Sequence, residues 1–409
     1  MRFLFLAASF FILFQAGGSG CLAEAAPAPP RGEVGLWVPA EGQNATLDDP
    51  KRILALAERA RASGVTDLYV QVYRSGRAWF PTSLADDSPS RRAGREPLAY
   101  LLELASAPGG GGRPIRVHAW INAFALARNR EAPLLRELGP EAVLRDLHGR
   151  SLLDYPPGGR PSWASGFTLG TPGIYLDPGH PGVRRRLADI ASELARRYPG
   201  LAGVHLDYIR YPYALPISPG SRFAPRLDFG YGRVPAERFR AETGFAAPAG
   251  GVQRSTAEHQ AWDDWRRRQV TETVREVDRA LRARHPGLLL SAAVLPWGDR
   301  AYLSAFQDWR GWLEKGLLDK AVLMNYTRDE ILAHRISRSA SAWRLPAEEE
   351  NGRRKGRVLI GLGAYLFGED PEPLWRQWRG ALRSGADGVV VFSYDAMLRR
   401  GRYWRFPLP

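Results

Sequence analysis

Cysteine is almost absent from this sequence, since Cys21 is the only one in 409 residues. A single thiol excludes a disulfide within the chain and any metal site built on paired cysteines. The histidines form no H-E-x-x-H motif and no cluster, and neither a G-x-S-x-G motif nor a P-loop is present. We therefore expect no metal and no cofactor, and neither a serine hydrolase nor an NTPase.

Long apolar runs are also missing, except at the N-terminus. Residues 1–20 combine one arginine, an apolar run and small residues, which is the pattern of a secretory signal peptide. The run is too short to be a good membrane span. Residues 22–31, rich in Ala and Pro, predict a short tether. We expect a signal peptide and tether over 1–31 and one domain over 32–409.

Two processing schemes remain open for this segment. Cleavage before Cys21 leaves a lipid-bearing cysteine, and the protein is then membrane-anchored only through that lipid. Cleavage near "AEAAPAPP" releases a soluble protein without cysteine. Both schemes predict an exported protein, periplasmic or extracellular.

Dense clusters of basic residues are absent as well, although the formal net charge is +14. A strongly positive charge suggests an anionic partner such as nucleic acid or an acidic polymer. Arginine is spread along the whole chain here, with no basic tail. We therefore interpret the charge as a solvated surface and expect no nucleic-acid partner.

Eight apolar, β-rich segments alternate with helical patterns from Val34 onward. This order predicts an α/β fold of the (β/α)8 TIM-barrel type, with long insertions after strands three and four. An open doubly wound sheet is the alternative, but the first strand lacks the G-x-G-x-x-G loop typical of that fold. The pattern also predicts one helix over 303–316. The predicted strands are 34–38, 67–73, 115–122, 203–209, 288–294, 318–326, 357–365 and 388–394.

Polar and aromatic residues cluster at the predicted carboxyl ends of these strands, where barrels of this kind carry their active sites. Carboxylate, amide and aromatic side chains around one cleft suit a carbohydrate, because rings stack on sugar faces and polar groups bind hydroxyls. A polysaccharide is therefore the expected partner. The predicted substrate-binding residues are Arg74, His118, Trp120, Asn122, His205, Tyr208, Arg210, Trp297, Asn325, Tyr326, Tyr365 and Tyr394.

Seven segments in order resemble the glycosyl-hydrolase-like 10 family of exported bacterial proteins. They include "VHAWINAF", "GVHLDYIRYP", "GLLDKAVLMNY" and "GADGVVVFSYDAM". The resemblance implies a (β/α)8 glycosidase domain that acts on peptide-free glycan strands of bacterial peptidoglycan. The family commonly has two adjacent acids after the histidine of strand four, whereas here Asp207 is followed by Tyr208.

Glycoside hydrolysis usually needs two carboxyl groups that flank the bond. Asp207 is the first candidate. A nearby Arg210 is expected to lower the pKa of Asp207, which suits a nucleophile or charge stabiliser better than a proton donor. We rank Asp395 ahead of Asp329 as the second acid, although a helix follows both and each suits an N-cap.

Three function classes therefore remain open. The first is a glycosidase acting on cell-wall glycan strands through a carboxylate pair. The second is a glycosidase or lyase acting on another polysaccharide. The third is a barrel that binds glycan without cleaving it, for which the missing second acid after strand four is the main argument.

Overall fold

A computed structural model describes residues 32–108, 114–160, 162, 167–216, 227–249, 254–346, 349–350, 353–354, 356–398 and 400–407. The predicted signal peptide and tether, including Cys21, lie outside the described residues. Gly32–Pro409 forms one compact unit. In the part of the chain that is described, no helix has both the length and the apolar character needed to span a bilayer.

Eight parallel strands close into a barrel, as the sequence predicts. Each strand pairs with the next along the chain, and the last pairs with the first. Most of the strand residues are buried, because helices cover the outer face and side chains fill the interior. The barrel strands are β1 Glu33–Val38, β2 Asp67–Arg74, β3 Arg116–Asn122, β4 Gly203–Asp207, β5 Leu289–Val294, β6 Lys320–Met324, β7 Arg357–Gly363 and β8 Gly388–Phe392.

Helices follow the strands and pack around the barrel. Proline at the first turn starts several of them, and α7 begins with a capping box in which Ser255 and Glu258 satisfy each other's backbone N–H groups. The α-helices among the described residues are α1 Pro50–Ala62, α2 Ser88–Arg92, α3 Pro97–Ser106, α4 Pro133–Leu138, α5 Pro181–Arg197, α6 Arg233–Thr243, α7 Thr256–Arg282, α8 Gly298–Ser304, α9 Trp309–Glu314, α10 Glu330–Ser341, α11 Glu372–Arg383 and α12 Tyr394–Leu398.

Short strands and 3-10 turns decorate this frame, mainly in the long segments after β3 and β4. Two of the short pairings, 125–127 with 174–175 and 167–169 with 214–216, join distant parts of these segments. Among the described residues, the short strands are Arg77–Ala78, Ala125–Ala127, Phe167–Leu169, Ile174–Tyr175, Ala214–Pro216, Glu349–Glu350 and Arg353–Arg354. The described 3-10 turns are Thr46–Asp48, Pro140–Ala142, Leu152–Asp154, Ala364–Leu366 and Gly401–Trp404.

Two element boundaries differ from the predicted ones for local backbone reasons. Strand β4 ends at Asp207, not at residue 209, because Tyr208 adopts a left-handed conformation with φ 52°. The helix predicted over 303–316 divides into α8 and α9 because Phe306 also has a φ of 52°. A non-glycine residue rarely adopts this conformation, which turns the chain out of a helix or strand.

The amino ends of the barrel strands hold a buried ionic network. Lys320 Nζ lies 2.7 Å from Glu33 Oε2 and 3.5 Å from Asp67 Oδ1, and all three side chains are fully buried. His118 Nε2 lies 2.7 Å from Asp67 Oδ1. The first residues of several strands point towards the barrel axis. Opposite charges therefore meet there and fill this end of the barrel.

An aromatic layer separates this network from the other end of the barrel. The Trp37 and Tyr69 ring centroids lie 6.2 Å apart, and Trp37 Nε1 donates to His205 Nε2 at 3.1 Å. Gly361 leaves the space that the Trp37 indole fills, since a Cβ there would lie 2.6 Å from the ring. These rings fill the barrel interior between the ionic network and the carboxyl ends of the strands.

Candidate active site

A cleft of about 700 Å³ opens at the carboxyl ends of the barrel strands. Side chains of seven barrel strands line it, together with Tyr365 after β7. The segments after β3, β4 and β5 form its sides. Its size is within the usual range for ligand sites. The predicted site residues in its lining are Arg74, Trp120, Asn122, Asp207, Tyr208, Arg210, Trp297, Tyr326 and Tyr365.

Asp207 is the last residue of β4 and points into the cleft. Strand register pairs it with Asn122 of β3, and the Ala123 N–H donates to the Asp207 carbonyl oxygen at 2.7 Å. The turn at Tyr208 brings its N–H to within 2.7 Å of Asp207 Oδ1. The side chain therefore has a fixed position and is only 8% exposed.

Burial raises the pKa of the Asp207 carboxyl to about 6, although Arg210, the Tyr208 N–H, Trp120 and Arg74 act in the opposite direction. This differs from the expected lowering by Arg210, because desolvation of the carboxyl outweighs the nearby cations. A carboxyl group with this pKa holds its proton in mildly acidic solution. Such a pKa suits a proton donor better than a nucleophile.

A chain of amide and indole groups fixes the wall beside Asp207. Trp120 Nε1 and Gln71 Nε2 both donate to Asn122 Oδ1, at 3.1 Å and 3.0 Å. Gln71 Oε1 in turn accepts from the Ala40 N–H at 3.2 Å. Because two donors hold Asn122 Oδ1, the orientation of the Asn122 amide is fixed. Its amide nitrogen can therefore donate to a hydroxyl or carbonyl oxygen of a substrate.

Aromatic rings form the opposite wall and the rim. The Tyr326 ring centroid lies 5.8 Å from those of Tyr365 and Phe392, and these rings meet edge-on or tilted. Tyr365 and Trp297 are 48% and 44% exposed, which is unusual for such large side chains. Exposed rings beside buried polar groups are suited to stacking on sugar faces.

Four predicted substrate-binding residues lie outside the lining of this cleft. His118 belongs to the ionic network at the amino ends of the strands, and His205 is fully buried between Trp37 and Ser291 Oγ. Asn325 donates to the Ala333 carbonyl oxygen and so anchors α10, while Tyr394 packs against Trp404. The two histidines lie deeper inside the barrel, and Asn325 and Tyr394 contact the helical shell. The alternation of residues along a strand does not by itself predict these positions.

The two further acids predicted from the sequence also lie outside the cleft lining. Asp329 is the N-cap of α10, where its Oδ1 accepts from the Leu332 N–H at 3.0 Å. Asp395 Oδ2 accepts from the Asn44 N–H at 3.1 Å and so holds the loop after β1. Among the described residues that line the cleft, Asp207 is the only carboxylate. The neighbouring sequence 161–166 and 217–226 contains no Asp or Glu.

Arginines are more frequent than acids around the cleft. Arg74 Nε pairs with Glu41 Oε2 at 3.1 Å, and Glu41 is not among the described residues that line the cleft. Arg210 and Arg300 face the side formed by the segments after β3 and β4. The lining thus combines one carboxyl group with three guanidinium groups.

Several lining residues were not predicted from the sequence. Gln71 and Trp37 lie inside apolar strands, two residues and one residue before the predicted strand ends. Tyr175 and Tyr213 come from the long segments after β3 and β4, and Phe392 precedes the predicted end of β8. The inward face of each strand, taken at every second residue, is the signal that identifies Gln71 and Trp37.

One group of residues has the composition of a metal site, at the opposite end of the barrel. Glu33, Asp67 and His118 each offer one ligand atom, all within 4.8 Å of one another. Lys320 Nζ and Arg357 Nη1 already bind the Glu33 carboxylate, at 2.7 Å and 2.8 Å. The Lys320 ammonium group thus occupies the position that a metal ion would need. The positive charges of Lys320 and Arg357 balance the carboxylates of this cluster.

Fold and cleft together define a (β/α)8 barrel with a ligand-sized cleft at the carboxyl ends of its strands. The structure is similar to the PgaB (BpsB) glycoside hydrolase domain of Bordetella bronchiseptica, with a TM-score of 0.58 and 13% identity over 91% of this chain and 97% of that one. It is also similar to the catalytic domain of a Paenibacillus polymyxa β-amylase, with a TM-score of 0.56 and 11% identity over 89% and 93%. These likenesses concern the fold.

The chain belongs to the glycosyl hydrolase-like 10 family, whose profile matches residues 34–378. It is 25% identical over 334 residues to glycosyl hydrolase DigH of Escherichia coli K12, covering 76% of this chain and 65% of that protein. It is 22% identical over 353 residues to glycosyl hydrolase YngK of Bacillus subtilis 168, covering 80% and 58%. The chain thus spans about two thirds or less of the length of these relatives. The family predicted from the sequence is confirmed.

Proposed function

We propose that this protein hydrolyses glycosidic bonds in glycan strands of the bacterial cell wall, with Asp207 as the proton donor. The observation that supports this most is the buried Asp207 carboxyl, with its raised pKa, at the floor of an open cleft rimmed by Trp297 and Tyr365. The resemblance to the family supplies the cell-wall substrate. Export, supported by residues 1–31, belongs to the same proposal.

In the proposed reaction, Asp207 protonates the glycosidic oxygen as the bond breaks. The Asn122 amide and the tyrosine rings hold the sugar while positive charge develops at its anomeric carbon. Because Asp207 is the only carboxylate among the described lining residues, we propose that the substrate's own acetamido oxygen attacks the anomeric carbon. Water then opens the cyclic intermediate and returns a proton to Asp207.

Product analysis on a panel of polymers tests this proposal. We expect the full chain to cleave peptide-free peptidoglycan strands into shorter oligosaccharides that mass spectrometry resolves. Strands stripped of their N-acetyl groups should react at least about 100-fold more slowly, because they lack the attacking oxygen. Equal cleavage of stripped strands would refute the acetamido mechanism, and preferential cleavage of another polymer would refute the substrate.

The pH dependence of cleavage follows from the raised pKa of Asp207. The protonated form is the active one, so kcat/KM should be highest below about pH 6 and fall about tenfold per pH unit above it. A profile of initial rates between pH 4 and 9 measures this. An activity that rises through pH 6 would instead indicate that ionised Asp207 acts as a nucleophile.

A glycan-binding protein without hydrolase activity is the second candidate. It is favoured by the single carboxylate in the described lining of the cleft. In the same panel, this candidate predicts retention of glycan strands by the protein with no new reducing ends. Detection of new reducing ends that require Asp207 would exclude it.

A further inference from the structure

One cation that lines the cleft forms no ion pair within 4 Å with an acid of the described residues, and Asp207 acts on it only from a longer distance. Arg210 is only 4% exposed, and Tyr208 and Tyr213 flank its guanidinium, with ring centroids 5.0 Å and 5.1 Å from Cζ. Its Nη1 donates to the Tyr211 carbonyl oxygen at 3.3 Å, and Nε has no hydrogen-bond partner in the described structure. A buried charge normally has an ion-pair partner, so this one is incomplete without a ligand.

A second polar group lies beside it. Tyr175 is 1% exposed, and its ring centroid lies 6.1 Å from that of Tyr208. Its hydroxyl makes no hydrogen bond of normal geometry with a described residue, although Thr171 and Arg210 lie close enough to lower its pKa against the effect of burial. Both Tyr175 and Arg210 line the cleft. A guanidinium and a phenol side by side in one cleft offer N–H and O–H donors, which fit an acceptor-only anion.

The surroundings of this donor pair favour a carboxylate over a larger anion. The Tyr208 and Tyr213 ring centroids lie 5.0 Å and 5.1 Å from the Arg210 Cζ and narrow the space beside the guanidinium, which suits a small planar carboxylate. Arg300 stands at the rim, with its Cζ 5.3 Å from the Tyr213 ring centroid, and adds positive potential on the entry side. Asp207 belongs to the same cleft, so a carboxylate held here is carried by the sugar being cleaved.

We propose that Arg210 and Tyr175 form a subsite for a carboxylate substituent on a sugar of the glycan. This inference rests on the proposed function, since it places the carboxylate beside the bond that Asp207 protonates. The subsite selects strands whose sugar carboxylates are free and rejects strands in which they are converted to amides, because an amide loses the charge and presents N–H groups to two donors.

Calorimetry on the full chain carrying Asp207→Asn tests the subsite without catalysis. The probes are peptide-free peptidoglycan oligosaccharides, the same oligosaccharides with their carboxylates converted to methylamides, chitin oligosaccharides and hyaluronan oligosaccharides. We expect amidation to weaken binding by about 10- to 100-fold and chitin oligosaccharides to bind as weakly as the amidated strands. Equal affinity for free and amidated strands would overturn the proposal without any protein variant.

Arg210→Gln in the same background identifies the group responsible. This variant should bind free and amidated strands alike, whereas the rim control Arg300→Gln should keep most of the discrimination. If Arg210→Gln still binds free strands more tightly than amidated strands by the same factor, the proposed subsite is wrong. Hyaluronan binding as tightly as peptidoglycan strands supports the subsite with a uronate as its ligand, and weaker hyaluronan binding supports an ether-linked carboxylate.

The outcome is separable from that of the proposed hydrolase activity. If the protein binds free strands more tightly than amidated ones through Arg210 but cleaves no strand, the subsite is supported and the hydrolase is refuted. Cleavage that depends on Asp207, with equal affinity for free and amidated strands, retains the hydrolase and refutes the subsite.

Discussion

Asp207→Asn should reduce cleavage of glycan strands by about 10²- to 10⁴-fold, because the amide keeps the shape of the carboxyl but cannot give a proton to the glycosidic oxygen. Binding of the strands should change little, since the hydrogen bonds around Asp207 come from backbone and indole N–H groups. Initial rates and calorimetric affinities on the same protein preparation measure the two effects separately.

The chain offers two matched controls for this variant. Asp329→Asn and Asp395→Asn make the same chemical change in acids that hold a helix start and a loop. Asparagine is a good N-cap, so Asp329→Asn should keep its stability and activity within about twofold. Loss of activity in either control comparable to that of Asp207→Asn would show that the second acid lies there after all.

Stability measurements exclude unfolding as the reason for a loss in Asp207→Asn. The folded-state pKa of about 6 lies above the ordinary value of 3.8, so the folded protein loses stability as the pH rises from about 4 to about 6, and this loss stays constant above pH 6. The variant removes this penalty, which amounts to at most about 3 kcal/mol at pH 8 and disappears below pH 4. Denaturation at both pH values should find the variant at least as stable as the parent protein.

Lys320→Met should destabilise the fold by about 3 to 5 kcal/mol at neutral pH. The substitution leaves the Glu33 and Asp67 carboxylates buried together without the ammonium group between them. Arg357 still binds Glu33 at 2.8 Å, and Arg116 still binds Asp67 at 2.6 Å and Glu33 at 3.3 Å, so the barrel should fold but unfold at lower denaturant concentration. Denaturant titrations of both proteins give the difference.

The pH dependence of this difference identifies its electrostatic origin. Burial raises the pKa of Glu33 and Asp67, but the cations, Lys320 foremost, outweigh it and hold both pKa values below the ordinary range. Their stabilising contribution is therefore present above about pH 4 and is lost as the pH falls through the lowered values. The penalty in Lys320→Met should shrink towards pH 4, where its carboxylates gain protons. The exposed Lys315→Met is the control, and an equal loss in both variants would contradict the account.

The barrel was predictable from the sequence because its strands are fully buried. Segments such as 34–38 and 388–394 are continuous apolar runs, and eight of them alternate with amphipathic helices. Parallel strands covered on both faces produce this pattern in few other folds. The left-handed residues Tyr208 and Phe306 were not predictable, since tertiary contacts impose a conformation that their residue types disfavour.

The candidate site was predictable in part, and the limit is geometric. Asp207, Trp120 and Asn122 came from strand ends and do lie together in the cleft. His118 and His205 occupy inward positions of the same strands but lie deeper, because depth along the barrel axis depends on the stagger between strands. Asp395 follows β8 directly, yet its side chain turns to Asn44 in a loop some 350 residues earlier. Such long-range contacts leave no local pattern.

The pKa of Asp207 shows why residue identity alone predicts the role of an acid poorly. An arginine three residues away suggests a lowered pKa, but the guanidinium of Arg210 lies between tyrosine rings and its influence is smaller than that of burial. The sequence gives the presence of both groups. Their solvation depends on how the segments after β3 and β4 pack over the cleft.

The proton-donor role is tested most directly by how the loss of rate in Asp207→Asn depends on the leaving group of the substrate. Rates of the parent and variant proteins are compared on peptide-free glycan strands and on a dinitrophenyl glycoside of an N-acetylglucosamine oligosaccharide, whose leaving group needs no proton. The account predicts a loss of about 10²- to 10⁴-fold on the strands and less than about tenfold on the dinitrophenyl glycoside. An equal loss on both substrates, or full activity of the variant on the strands, would contradict it.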